Sequence, residues 1–260
     1  MKLFTVLAGI ALIVTACNQN PAPSAGNTKK PVPDVSAENL KGKIEQVETE
    51  TYLIDSATGK MGKLDSKTVE KYNDDGYAVS YSNYNGKDSS TTVNTYDIDA
   101  DGYFKGMKIT KNDKPLSSMT AVLDSGKYTS ATEYDSAGKV STIYDEIEMN
   151  DYGQVVSATG HHADSSLKMS FKNNFDSVYY IGGESKDSVG KVTYSSTIKL
   201  DDKRNPVQTE ETTVTKDSTT KKSTTFAYDS WDNNGNWTQQ TITENGKPSK
   251  IVKRTITYKQ

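Results

Sequence analysis

Short clusters of Gly, Asn, Asp and Ser punctuate this chain, and from residue 73 onward they begin every 11 to 16 residues. They include DSATGK (55–60), NDDG (73–76), DADG (99–102), DSAG (135–138), NDYG (150–153), KDSVG (186–190), DNNG (232–235) and NGKP (245–248). Asp and Asn side chains bond their own backbone two residues on, and Gly reaches positive φ without strain, so such clusters turn the chain. A beat this regular leaves room for one extended segment between turns and for little else.

The intervening segments alternate. Leu167, Met169 and Phe171 fall on one side of LKMSFK; Val192, Tyr194, Ile198 and Leu200 share a face; Ile143, Ile147 and Met149 are read the same way; Val252, Ile256 and Tyr258 close the chain. Period two with Thr, Tyr, Val and Ile enriched predicts strands half-buried on one side. Pro115, Pro206 and Pro248 all lie at turn edges, where a strand tolerates a residue without an N–H. The fold expected is all-β: a long antiparallel meander of about 15 strands, built from hairpins and forming one strongly twisted sheet curled into a half-pipe or open barrel. A flat single-layer sheet, similar to some spirochaetal surface lipoproteins, is the alternative. Tyrosine (16) outnumbers phenylalanine (5) and tryptophan (2) together, which suits a sheet face apolar at its base and wet at its tip. A lipid-facing barrel is disfavoured, because Ser, Thr, Lys and Glu interrupt both faces of the strands.

The first residues, MKLFTVLAGIALIVTAC, place Lys2 before an apolar run too short to span a bilayer as a helix. This is the layout of a signal peptide over 1–16. Val14-Thr15-Ala16-Cys17 resembles a bacterial lipobox, and Cys17 is the single cysteine, so no internal disulfide can form. The resemblance implies a bacterial lipoprotein with diacylglycerol and N-acyl chains on Cys17, a membrane anchor, and, because Asn rather than Asp follows the cysteine, the outer membrane of a Gram-negative envelope. Residues 17–43 carry four of the seven prolines and no apolar periodicity, and read as a lipidated cysteine with a flexible tether. The β-repeat domain is assigned to 44–260.

The unit aromatic-Asp-x-x-Gly, best seen at Tyr134 to Val140 and around Tyr228 to Trp237, resembles the YD repeats of the Rhs family in degenerate form. Looser copies start at Tyr72 and Met149, and DDKRN and NNFD have lost the glycine. What the resemblance implies is a strand-turn-strand design; the chain is too short for the large shells of that family.

Candidate chemistry is sparse. Asp97, Asp99 and Asp101 with Gly102 match the first half of a calcium loop, but Lys108 stands where the loop needs a bidentate glutamate. His161 and His162 are adjacent, so on a strand they face opposite ways and make a poor chelate. Trp231, Trp237, Tyr179 and Tyr180 are candidates for stacking on a sugar ring, against the simpler reading of cross-strand packing. Triplets such as Asp135-Ser136-Ala137 and Asp187-Ser188-Val189 resemble an envelope O-glycosylation pattern. No phosphate loop, dinucleotide turn, nucleophile elbow or zinc spacing is present. Net charge is −3 with the cations dispersed, which excludes a nucleic-acid footprint. The function expected is that of a non-catalytic, lipid-anchored envelope module, binding or structural, without a cofactor and with a protein or glycan partner. A carboxylate-using glycan enzyme and an accessory subunit of an outer-membrane transporter or assembly complex are the alternatives.

Overall fold

The computed structural model describes residues 30–260 apart from Ser56. The signal peptide, the lipobox, Cys17 and the first part of the tether lie outside the described residues.

Sixteen antiparallel strands follow one another: β1 (Ile44–Ile54), β2 (Met61–Tyr72), β3 (Ala78–Asn85), β4 (Ser90–Ile98), β5 (Phe104–Lys111), β6 (Lys114–Asp124), β7 (Lys127–Asp135) and β8 (Val140–Met149), then β9 (Val155–His161), β10 (Leu167–Asp176), β11 (Tyr179–Asp187), β12 (Val192–Leu200), β13 (Pro206–Val214), β14 (Thr219–Trp231), β15 (Trp237–Glu244) and β16 (Lys247–Tyr258). Each pairs with its neighbour in sequence, and β1 pairs with β16, so the sheet closes into a barrel. This corrects the half-pipe or open barrel expected from the sequence, while the antiparallel meander and its strand count, expected at about 15, agree with the structure.

Closure has a physical cause. The two end strands carry matched edges: Val47 lies opposite Ile256, Thr51 opposite Val252, and Glu50 opposite Lys253. An open sheet would leave both rows of N–H and C=O groups unpaired, and joining them removes that liability.

Inward and outward faces differ in chemistry. On β6, Met119 is 5% exposed, whereas Val122, on the other face, is 54% exposed. The wall above β4 to β10 is lined by Met107, Ile109, Met119, Tyr144 and Ala158. Outward positions are charged and hydroxylated: Lys67 pairs with Glu48 at 2.6 Å, Glu184 with Lys186 at 2.9 Å, and Ser223 donates to Glu210 at 2.6 Å. A bilayer would charge about 2–4 kcal/mol for each lysine of this kind near its midplane, so the outer wall suits water.

Irregularities redirect several side chains. Glu146 has φ 48°, and the β8–β9 register slips between Asp145 and Glu148. Ile143 pairs with His161 on one side of that slip, while Ile147 packs on the apolar cluster of the lumen, so these residues do not share the face expected. A second slip, between Leu167 and Met169, leaves Leu167 41% exposed while Met169 is buried.

Gly182 sits at φ 122°, and a Cβ there would lie 2.1 Å from the Ser196 carbonyl oxygen across the β11–β12 ladder. Gly182→Ala is expected to cost about 2 kcal/mol, because strain and a backbone clash add. Urea unfolding with an unchanged midpoint would contradict this account.

Candidate functional site

The barrel has two unlike ends. At one, which we call the mouth, the turns at 55–60, 86–89, 112–113, 136–139, 162–166, 188–191, 215–218 and 245–246 are largely exposed. At the other, six of the seven turns carry a buried residue in or just beyond the turn: Tyr77, Tyr103, Gln154, Val178, Asn205 and Asn236; the tight turn at 125–126 does not.

The turns themselves share one device. Asn73 Oδ1 accepts from the N–H groups of Asp75 and Tyr77; Asp99, Asn150, Asp201 and Asp232 do the same two and four residues on. Asp135 and Asp187 repeat it at the mouth, but there the fifth residue is Lys139 or Lys191, and both are exposed. The side chain at position five thus decides whether a turn covers an interior or meets water.

The buried side chains meet a strap. Residues 30–43, read from sequence as tether, lie against this end, with a single helical turn α1 (Asp34–Ala37). Lys30 pairs with Asp101 at 2.7 Å, and the Tyr77 hydroxyl donates to the Pro31 carbonyl at 2.6 Å. Val32 N–H donates to Tyr152 O, and Val35 N–H donates to Gly76 O. The Gly76 position admits no Cβ, which would fall 2.4 Å from Val35 Cγ2. Ala37, 2% exposed, packs on Val178 and Tyr179; Leu40 packs on Ile44, Val47 and Tyr72. Asn39 Nδ2 donates to Lys203 O, and Asn236 both accepts from Lys41 N–H and donates to Lys41 O. Six turns are bridged, so the strap forms a floor.

Ionisable groups are buried in that floor. Ala78 N–H donates to Asp34 Oδ2 at 2.7 Å, yet burial outweighs this bond and pushes the Asp34 carboxyl up to about 7. Glu70 on β2 faces inward, and burial, then the charge and hydrogen bond of Glu38 on the strap, hold its carboxyl well above the usual range. Arg254 of β16 lies 4.0 Å from the Glu38 carboxylate and 3.8 Å from the centre of the Trp237 ring. Tyr72, Tyr81 and Tyr96 surround these acids, each phenol raised first by burial; that of Tyr96 reaches about 12.

Beside the strap the lumen narrows to a cavity of about 130 Å³. Phe104, Met107, Met119, Ile147 and Phe171 give it an apolar lining, closed below by Pro31 and Val32.

The residues singled out from sequence are dispersed. Asp99 is the acceptor of its own turn, Asp101 pairs with Lys30 and is 63% exposed, and Asp97 stands exposed on β4. Among the described residues, no group of three or more His, Cys, Asp or Glu side chains is arranged to hold a metal. His161 bonds Asp145 at 3.1 Å, whereas His162 closes a mouth turn. Trp231 and Trp237 both pack on Tyr228, Lys203 lies over the Trp231 ring, and Arg254 covers Trp237. Tyr180 meets Phe175 edge-on, and Tyr179 is buried under the strap beside Arg204. The two tryptophans flank one turn and the two tyrosines follow another, so the four do not gather into one platform. The strap, Glu70, Arg254 and the methionine-lined cavity were not picked out from sequence; the contrast between Tyr, Gln or Asn and Lys at position five of the turns was the available signal.

No protein-family model matches the chain, and no curated protein matches it. Among solved structures, a porin-like protein from Bacteroides uniformis aligns with TM-score 0.52 at 14% identity, covering 88% of this chain and all of that one. A Tc holotoxin pore from Photorhabdus luminescens aligns with TM-score 0.24 at 8% identity over 16% of its length. The first likeness is one of fold: a β-barrel of the same extent.

Proposed function

We propose that this chain is a non-catalytic, lipid-anchored β-barrel of the bacterial cell envelope, held at the outer membrane through Cys17, and that it works as a binding cup. The barrel is assembled from degenerate YD-like hairpins. The observation that carries this reading is the strap, which bonds to five turns and packs on a sixth and so stops one end of the lumen. A lumen stopped at one end admits and holds a molecule but does not conduct. The charged outer wall supports a barrel that stands in water beside its anchor, and the porin-like relative in fold is consistent with an envelope setting.

Two measurements test this. The full chain added to planar bilayers is expected to give no stepwise conductance; discrete channels would overturn the cup. Cys17→Ser is expected to move the protein from the membrane to the soluble fraction, and unchanged partitioning would overturn the anchor.

A further inference from the structure

We infer that the apolar floor of the lumen seats the hydrocarbon end of a single-chain amphiphile whose head bears hydrogen-bonding and zwitterionic groups. The inference rests on reading the barrel as a binding cup and names what the cup holds.

The first argument is that the polar groups at the floor already have partners within the protein. The Tyr77 hydroxyl is spent on Pro31 O, and Tyr128 Oη accepts from Phe104 N–H. Gln154 Nε2 donates to Val178 O while its Oε1 accepts from Asn150 Nδ2, and Asp34 Oδ2 is taken by Ala78 N–H. A sugar or peptide lowered to this level would give up its water and find these groups engaged, at about 1–3 kcal/mol for each group left unmatched. A hydrocarbon gains instead, by about 0.8 kcal/mol for each methylene buried.

The second argument is size and compliance. The cavity, about 130 Å³, approaches the volume of roughly 150 Å³ at which an apolar protein cavity takes up benzene. Met107 and Met119 face into it, and thioether side chains reshape readily around a chain end.

The third argument is the band above. One inward step toward the mouth from Met119 on β6 lies Ser117, whose buried Oγ has no hydrogen-bond partner. One step above Tyr144 on β8 lies Thr142, fully buried. Lys168 Nζ donates to Thr142 Oγ1 and to Ser141 O, both uncharged. Glu133, opposite Thr142 in register, brings the other sign to the same level. Hydrocarbon below and one side chain of each sign above fit a monoacyl lipid with a zwitterionic head.

The test uses the full chain carrying Cys17→Ser, so that no detergent competes. N-phenylnaphthylamine should brighten on binding and be displaced by lysophosphatidylcholine below its micellar concentration. Ala131→Phe, which fills the cavity, should weaken both ligands at least tenfold with an unchanged circular dichroism spectrum, whereas the outward Val122→Phe should not. Should Ala131→Phe fail to fold, the milder Ala121→Leu is read the same way. Equal affinity in the filled variant would overturn the site. Retention of a polar solute from a periplasmic extract in native mass spectra, with no uptake of either amphiphile, would overturn the amphiphile and leave the cup standing. Retention of nothing would overturn both.

Discussion

Arg254→Met is expected to destabilise the barrel by about 3 kcal/mol at pH 8, and by clearly less at pH 5. The guanidinium lies 4.0 Å from Glu38 on the strap and against Trp237, with its side chain only 16% exposed. Glu70 and Glu38 interact in a place poor in water, and Arg254 is the cation that faces their charge. Methionine keeps much of the stem that packs on Trp237 but leaves the carboxylates uncompensated. Acid relieves them, because Glu70 is held protonated to a higher pH than an ordinary glutamate and gains a proton early as pH falls. Adding Glu70→Gln to Arg254→Met should restore a good part of the loss at pH 8. Chemical denaturation of the single and double variants at both pH values measures this. A single variant as stable as the parent at pH 8, or a double variant no better than the single, would refute the charge account.

Rising pH is expected to loosen the strap. The Asp34 carboxyl goes from 3.8 in an unfolded chain to about 7 when docked. A raised acid favours the folded form while it is protonated, so its contribution is complete below pH 4 and fades as pH climbs through 7. Glu38 pushes in the same direction, and the Ala78 N–H opposes it. The ceiling on the change is on the order of a few kcal/mol, concentrated in residues 30–43. Hydrogen exchange at the amides of Val35, Ala37 and Leu40, corrected for intrinsic rates, should accelerate between pH 5 and 8 more than at Ile109 in the wall. Asp34→Asn keeps an oxygen acceptor for Ala78 and should flatten that difference. Equal pH dependence in parent and variant would rule out Asp34 as its source.

How far the sequence reveals this architecture depends on the range of each interaction. Turns are local: Asp135 with Gly138 contains both the acceptor and the positive φ that its hairpin needs, so the meander and its beat are legible. Closure is not local. Nothing around Glu50 says that Lys253 will lie opposite it, because that contact is set by the twist accumulated over all the intervening strands. Bulges defeat the alternation rule for the same reason: Glu146 adds a residue, and every inference from Ile143 to Ile147 changes face. The strap was hidden by its composition. Pro31 and Pro33 read as tether, and only the complementary turns reveal that Ala37 and Leu40 have somewhere to be buried. For the site, Asp97, Trp231 and Tyr179 stand out in the sequence by residue type alone. The cavity is instead built from Met107, Met119 and Phe171, ordinary strand residues that matter through their position on the inner wall.

The strap enters the described structure at Lys30, at the closed end of the barrel, where Asp101 holds it. A lipid carried upstream of that point would tether the molecule by its closed end, like a goblet by its foot, and leave the lysine-bearing hairpins of the mouth free to meet the surrounding compartment. Whatever enters would then come from that compartment and not from the leaflet beneath.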